Sequence, residues 1–192
     1  MRDPLIRRGL QLEFATLGWN VIGVPILAIV ALESGSAAAA GFGLDSAIEI
    51  GASLVVVWEL TGAHRDRETP ALRLIGCAFL VLAAYVTAQA AISLIAGLRP
   101  SPSVPAIMWT GATALVMLAL ARGKAVTGRA LGNPVLQAEG RVTLVDAALA
   151  TAVLVGLSLN AALGWWWADP IAGLVIVVYA LREGASALRR PG

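Results

Sequence analysis

The sequence predicts an all-α integral membrane protein with six transmembrane helices and both termini in the cytoplasm. Three observations indicate this fold. Of the 192 residues, 58% are hydrophobic and only 14% are charged, whereas about a quarter of the residues in a soluble domain are charged. Six apolar runs are each long enough to cross a bilayer. The basic residues fall almost entirely on one side of the topology that these runs define.

The apolar runs follow one another with short connections between them. A helix rises 1.5 Å per residue, so about 20 residues cross about 30 Å of hydrocarbon. The six runs cover residues 10–32, 38–60, 71–97, 104–121, 136–160 and 168–188. The connections contain turn-forming or charged residues and read ESGS, HRDRETP, RPSPSVP, RGKAVTGRALGNP and GWWWADP in chain order. We expect residues 1–192 to form a single transmembrane domain with no soluble domain.

Basic residues predict the orientation of the helices. Thirteen of the 14 Lys and Arg residues lie at the termini or near the second and fourth connections, including Lys124 in the fourth, and only Arg99 lies on the other side. By the positive-inside rule, the side with thirteen is cytoplasmic. Trp165, Trp166 and Trp167 lie at the opposite membrane surface, as an interfacial aromatic belt does. We expect the protein in a bacterial inner (plasma) membrane, with lipid and not nucleic acid as its partner.

Acidic residues interrupt the second and fifth apolar runs. A carboxylate at the bilayer centre costs about 2.5–3.5 kcal/mol on insertion scales, so each one requires an explanation. Asp45 and Glu49 are four residues apart and therefore share one helix face. Glu139, Thr143 and Asp146 follow the spacing i, i+4, i+7 and share one face of the fifth helix. These two faces predict a polar site inside the membrane.

Other polar residues are candidates for supporting roles. In the first run, Glu13 and Asn20 are seven residues apart and point in nearly the same direction. The third run contributes Gln89, and the fifth contributes Thr143. Glu13 and Glu139 lie near the ends of their runs, where a long side chain can also reach the membrane surface. For these two residues, a role in the site and an interfacial position both remain open.

The chemistry of the acidic residues favours a divalent cation. Asp45, Glu49 and Asp146 would repel one another in a low dielectric unless they were protonated or bound to a cation. Carboxylate oxygens suit Mn²⁺ and Mg²⁺, and Zn²⁺ also accepts them. The only histidine, His64, lies in the second connection and fits a solvated loop residue better than a ligand. The spacing does not identify the metal, and no organic cofactor is expected.

Three stretches resemble the cation diffusion facilitators, which are also called the cation efflux family. GLDSAIEIGASL is similar to their second helix, AEGRVTLVDAALATAVLVGL to the fifth, and GWWWADPIAGLVIVVYALREGASAL to the sixth. The similarity covers roughly residues 10–190, and WADPIAG is its most distinctive part. The resemblance implies six helices, a homodimer, and export of a divalent metal, most often zinc, in exchange for protons.

The resemblance also implies a set of metal ligands. Asp45 and Glu49 take the two ligand positions of the second helix, and Asp146 takes the aspartate of the fifth. Many members have a histidine four residues before that aspartate, where this sequence has Val142. Glu139 falls where many members have another acid, and it is a fourth candidate ligand. The C-terminal cytoplasmic domain of many members has no counterpart here, so we expect a short member of the family.

Two functions remain open at this point. The first is a secondary transporter that exchanges protons for Zn²⁺, or for Mn²⁺, Fe²⁺, Co²⁺ or Cd²⁺, at a carboxylate site between the second and fifth helices. The second is a non-transporting membrane subunit or metal-binding protein with a degenerate site, whose acids are protonated and bonded to Gln89, Asn20 or Thr143. An enzyme is disfavoured, because the predicted membrane interior contains no histidine to form a serine–histidine pair or to bind a catalytic metal.

Overall fold

A computed structural model describes residues 2–34, 37–62, 67–98 and 104–189 of the protein. Within these ranges the chain forms six α-helices and no β-strand, which confirms the all-α prediction. The helices are α1 (Arg2–Ser34), α2 (Ala37–Leu60), α3 (Glu68–Ala96), α4 (Val104–Leu131), α5 (Pro134–Leu163) and α6 (Ala168–Leu188). His64 and Arg99, which the sequence places in connections, lie outside the described residues.

Helix α4 extends well beyond the apolar run that predicts it. The run ends at residue 121, but the helix continues to Leu131. The fourth connection therefore consists of Gly132 and Asn133 alone, and the expectation that Lys124 lies in a loop is wrong. The physical reason is that hydropathy falls at the charged residues of RGKAVTGR, whereas the backbone remains helical through the small and apolar residues between them.

The two residues of the turn between α4 and α5 determine where one helix ends and the next begins. Gly132 has a φ of 63°, a left-handed conformation that ends α4 and that glycine adopts without strain. Asn133 caps α5, because its Oδ1 accepts a hydrogen bond of 2.8 Å from the backbone N–H of Leu136. Its Nδ2 donates to both carboxylate oxygens of Glu59, at 3.1 and 3.0 Å. The turn thus joins α4 and α5 into a helical hairpin and connects it to the end of α2.

The bundle exposes large apolar side chains and buries many polar ones. Large apolar side chains face outward, and Leu32, Met108 and Leu115 are 86%, 70% and 73% exposed. The buried polar side chains of the described residues are Glu13, Thr16, Asn20, Asp45, Ser46, Glu49, Ser53, Thr110, Thr113, Lys124, Thr127, Glu139, Thr143 and Asp146. An apolar exterior with charged groups confined to the interior suits a hydrocarbon surrounding.

Three helical segments of the described chain are long and apolar enough to cross a membrane. They are Asp3–Val30, Glu68–Ala96 and Pro134–Leu159, which belong to α1, α3 and α5.

The helices pack so that most of the buried polar residues lie in one part of the bundle. Helix α1 packs on α2 and α4, α4 packs on α5, and α5 also contacts α2. Helix α3 packs mainly on α6, where a Cβ at Gly184 would lie 3.1 Å from the carbonyl oxygen of Gly76. An apolar core fills the space between α2, α3, α5 and α6; its members include Val56, Ile75, Phe79, Leu82, Val145 and Ala180. The polar residues of α1, α2, α4 and α5 therefore face one another.

The close contact between α4 and α5 yields a first prediction. A Cβ at Gly128 would lie 2.8 Å from Cγ and 3.0 Å from the backbone nitrogen of Gln137, so Gly128→Ala forces the helices apart. We expect a loss of about 1–3 kcal/mol, typical of overpacking. Gly111→Ala on the same helix is the control, because its nearest neighbour is a Leu154 methyl at 3.7 Å. Thermal unfolding in detergent checks this, and equal midpoints for the two variants would contradict it.

Candidate metal centre

Three carboxyl groups from two helices meet in the interior of the bundle. Asp45 and Glu49 lie on α2 and Asp146 lies on α5, and their side chains are 3%, 1% and 1% exposed. The carboxyl groups of Asp45 and Asp146 are close enough to interact with each other, and each interacts electrostatically with Glu49. Two carboxyl groups this close require a shared proton or a cation. The structure therefore brings together the three residues that the sequence singled out first.

Helix α1 contributes an amide to the same group. Asn20 is 1% exposed, and its Nδ2 donates a hydrogen bond of 2.8 Å to Oε2 of Glu49. It also donates to the carbonyl oxygen of Thr16, one turn earlier. Asn20, Asp45, Glu49 and Asp146 are called the carboxylate cluster below.

The carboxylate cluster has more oxygen acceptors than donors. The atoms without a hydrogen-bond partner are Asn20 Oδ1, Asp45 Oδ2, Glu49 Oε1 and both carboxylate oxygens of Asp146. A buried acceptor without a donor costs about 1–3 kcal/mol, so the cluster is suited to receive a cation. All its free ligand atoms are oxygens, a set that hard and borderline divalent ions accept. Among the described residues, no three His, Cys, Asp or Glu side chains are already arranged to hold a metal ion.

Sequence reasoning missed the interior position of Lys124. It lies on α4 and is completely buried. Its Nζ is 2.6 Å from Oε1 of Glu139 and 3.1 Å from Oε2 of Glu13, and it donates to Oγ1 of Thr143 at 3.0 Å. Glu13 and Glu139 are also fully buried, so the alternative in which their side chains reach the membrane surface is wrong. The ammonium holds them inside the protein.

Glu139 is bonded mainly to neighbours other than the carboxylate cluster. Its Oε1 accepts hydrogen bonds from Ser53 Oγ at 3.1 Å and from Thr143 Oγ1 at 3.2 Å, besides that from Lys124. Glu13, Ser53, Lys124, Glu139 and Thr143 are called the lysine cluster below. Glu49 interacts electrostatically with both Lys124 and Glu139, so the two clusters adjoin.

Helix α3 places an aromatic side chain beside the carboxylate cluster. Gln89 is half-buried on α3. Tyr85, one turn earlier, interacts electrostatically with Asp45 and was not foreseen. Val142, at the position of the family's histidine, is 2% exposed and packs in the apolar core. The described site therefore has no nitrogen ligand from this position.

A helical spacing in the sequence could have revealed Lys124. The buried residues of α4 include Thr113, Met117, Ala121, Lys124 and Thr127, which are spaced by three or four residues. This pattern continues past residue 121, where the apolar run ends, and it places Lys124 on the inner face. Two acids at similar depth on α1 and α5 also require a counter-charge.

A family model described as the cation efflux transmembrane domain matches residues 14–190. The chain belongs to the cation efflux family. This confirms the resemblance described above, and it makes the protein an integral membrane protein and a transporter whose substrate is a divalent metal cation. The match includes every residue of both clusters except Glu13, which lies immediately before it. A comparison with curated proteins finds no match.

The lysine cluster yields a second prediction, which concerns stability. Lys124→Met leaves Glu13 and Glu139 facing each other without a cation, and breaking a buried ion pair costs about 3–5 kcal/mol. Adding Glu139→Gln removes one of the two charges and lets an amide bond to Glu13. We therefore expect the double variant to be more stable than Lys124→Met alone, which thermal unfolding at neutral pH without metal measures. Additive losses from Lys124→Met and Glu139→Gln would show that the pair is not coupled.

Proposed function

We propose that this protein exports a divalent metal from the cytoplasm in exchange for protons, with the carboxylate cluster as its transport site. The observation that supports this proposal is the meeting of Asp45, Glu49 and Asp146 inside the bundle, with oxygens that have no hydrogen-bond donor. These residues lie near the middle of α2 and α5. Membrane transporters commonly hold their substrate near the midplane, where it is reached alternately from the two sides.

Charge balance accounts for exchange with protons. Three carboxylates in a low-dielectric interior repel one another unless positive charge is present. Either a divalent ion or protons supply that charge, and metal binding to carboxyl ligands releases protons. Two protons for each ion keep the net charge of the site constant through the cycle. The empty site therefore takes up the protons that drive its return.

The ligand set bears on the choice of metal. Zinc is the first candidate, because the family most often carries it, and Mn²⁺, Fe²⁺, Co²⁺ and Cd²⁺ follow. Zinc sites usually include histidine or cysteine, but Val142 replaces the expected histidine and the carboxylate cluster offers oxygens only. This composition favours a site that also accepts harder ions such as Mn²⁺. Glu139, which sequence reasoning added as a fourth ligand, belongs instead to the lysine cluster.

The proposal includes an orientation and an assembly. All six helices span a bacterial inner membrane as one domain over residues 1–192, both termini are cytoplasmic, and two copies form a homodimer. The distribution of basic residues supports the orientation. Trp165 and Trp167 support the position of a membrane surface, because they stack at 5.5 Å and are 45% and 42% exposed at the end of the bundle opposite the termini. Tryptophan pairs of this kind favour a membrane surface.

A third prediction tests the transport site. Asp45→Asn and Asp146→Asn each remove one charge with little change of volume, and we expect metal-dependent proton flux in proteoliposomes to fall to the level of protein-free vesicles. Asp3→Asn is the control, because Asp3 is an exposed carboxylate in the first turn of α1. Flux equal to wild type in either site variant rejects the assignment.

Metal binding separates transport from the alternative function. If the wild-type protein binds none of Zn²⁺, Mn²⁺, Fe²⁺, Co²⁺ and Cd²⁺ in equilibrium dialysis, the protein is a non-transporting subunit with a degenerate site. Binding that disappears in Asp45→Asn supports the transporter.

A fourth prediction tests the orientation. Cys77 is the only cysteine, so Cys77→Ser provides a background for single cysteines at Arg129 and at Trp165, which are both exposed. A membrane-impermeant maleimide should label Trp165→Cys in intact cells and Arg129→Cys only in inverted vesicles. Labelling of both variants from the same side would contradict the proposed topology.

A further inference from the structure

We propose that Glu13 and Glu139 form a second cation site between the cytoplasm and the carboxylate cluster, and that Lys124 occupies it as a tethered cation that the metal displaces. The proposal deepens the proposed function and rests on it for the direction in which metal moves. The existence of the second site depends only on the lysine cluster. The alternative is that Lys124 is never displaced and forms only a structural ion pair with the two glutamates.

The ammonium of Lys124 is held as a small cation would be. Its Nζ donates hydrogen bonds to Glu139 Oε1 at 2.6 Å and to Thr143 Oγ1 at 3.0 Å, and it forms an ion pair with Glu13 Oε2 at 3.1 Å. These oxygens come from α1 and α5, whereas the lysine itself comes from α4. A cation surrounded by oxygens from other helices occupies a position that a metal ion can also occupy.

Unused ligand atoms surround the same position. Oε1 of Glu13 and Oε2 of Glu139 are buried and have no hydrogen-bond partner. The two carboxyl groups contact the same ammonium, at 3.1 and 2.6 Å. Ser53 and Thr143 add two buried hydroxyl groups that already bond to Glu139. With the lysine withdrawn, two carboxylates and two hydroxyls would converge, which is a set of ligands for a divalent ion that retains some water.

The position of the lysine cluster suits a step before the transport site. Glu13 precedes Asn20 by seven residues on α1, and Glu139 precedes Asp146 by seven on α5, which is about 10 Å along each helix. The lysine cluster is therefore nearer to the N-terminal ends of α1 and α5, on the proposed cytoplasmic side. Glu49 interacts electrostatically with members of both clusters, so a charged side chain lies between them.

The experiment counts bound ions on the full chain in detergent. In equilibrium dialysis at a Zn²⁺ concentration too low to displace Lys124, we expect Lys124→Met to bind one more ion per chain than the wild type, whereas at saturating Zn²⁺ both should bind the same number. Glu13→Gln combined with Lys124→Met and Glu139→Gln should remove that extra ion. Arg122→Met is the matched control, because Arg122 is exposed two residues earlier on the same helix. An unchanged number of ions in folded Lys124→Met at the low Zn²⁺ concentration overturns the proposal, since a structural ion pair predicts lost stability and no gain of binding.

The same experiment distinguishes an error in the transport-site proposal from an error in the second-site proposal. With Asp45→Asn and Asp146→Asn present, Lys124→Met should still bind one ion. If the carboxylate cluster binds no metal, then at low Zn²⁺ the wild type binds none and Lys124→Met nevertheless binds one. If the second site does not exist, the wild type and Lys124→Met bind the same number at every Zn²⁺ concentration.

A measurement on the wild type decides the matter if Lys124→Met does not fold. Lys124 is the only lysine in the chain, so acetylation of side-chain amines, read by mass spectrometry, reports on this residue alone. Because Lys124 is fully buried in the structure, we expect slow acetylation without metal and acetylation at least about tenfold faster at saturating Zn²⁺. The increase should persist in Asp45→Asn combined with Asp146→Asn. Acetylation that zinc does not change means that the ammonium is not displaced, and the proposal fails.

Discussion

Every charge inside a membrane protein needs an opposite charge or a hydrogen-bond donor, and this constraint organises the interior of the bundle. The lysine cluster satisfies it in part within the protein, because one ammonium contacts Glu13 and Glu139 and two hydroxyl groups donate to Glu139. The carboxylate cluster does not satisfy it, since Asn20 supplies a single donor to Glu49. The two clusters adjoin but differ in this respect, so protons or an external cation must balance Asp45, Glu49 and Asp146.

The arrangement of the helices follows from the same requirement. Helices α1, α2, α4 and α5 carry the charged side chains of both clusters and face one another, whereas α3 and α6 pack through glycine and apolar residues. Apolar side chains such as Leu115 are left on the outside, where lipid can cover them. Close helix packing through small residues is the usual way in which membrane helices associate, because hydrocarbon offers no hydrophobic driving force.

Local patterns predicted most of the helices and the main carboxyl groups of the site. Hydropathy located six runs, and the spacing of Asp45 and Glu49 placed both on one face, because these properties depend on neighbours along the chain. Lys124 could not be placed in this way, since its environment comes from Glu13 and Glu139 on other helices. A lysine lowers the hydropathy of a run and so marks the end of a predicted span. A lysine can be buried when acidic residues on other helices balance its charge. The extent of α4 was underestimated for the same reason.

The two-residue turn between α4 and α5 determines which contacts survive when the bundle changes shape. Gly132 and Asn133 join α4 and α5, and Gly128 allows the two helices to pack closely. We therefore expect α4 and α5 to move as one unit. Lys124 and Glu139 both belong to this unit, whereas Glu13 belongs to α1. A displacement of the hairpin relative to α1 therefore stretches the 3.1 Å contact with Glu13 and leaves the 2.6 Å contact with Glu139 intact. Separation of α1 from the hairpin would therefore break one ion pair of the lysine cluster, the one between Lys124 and Glu13.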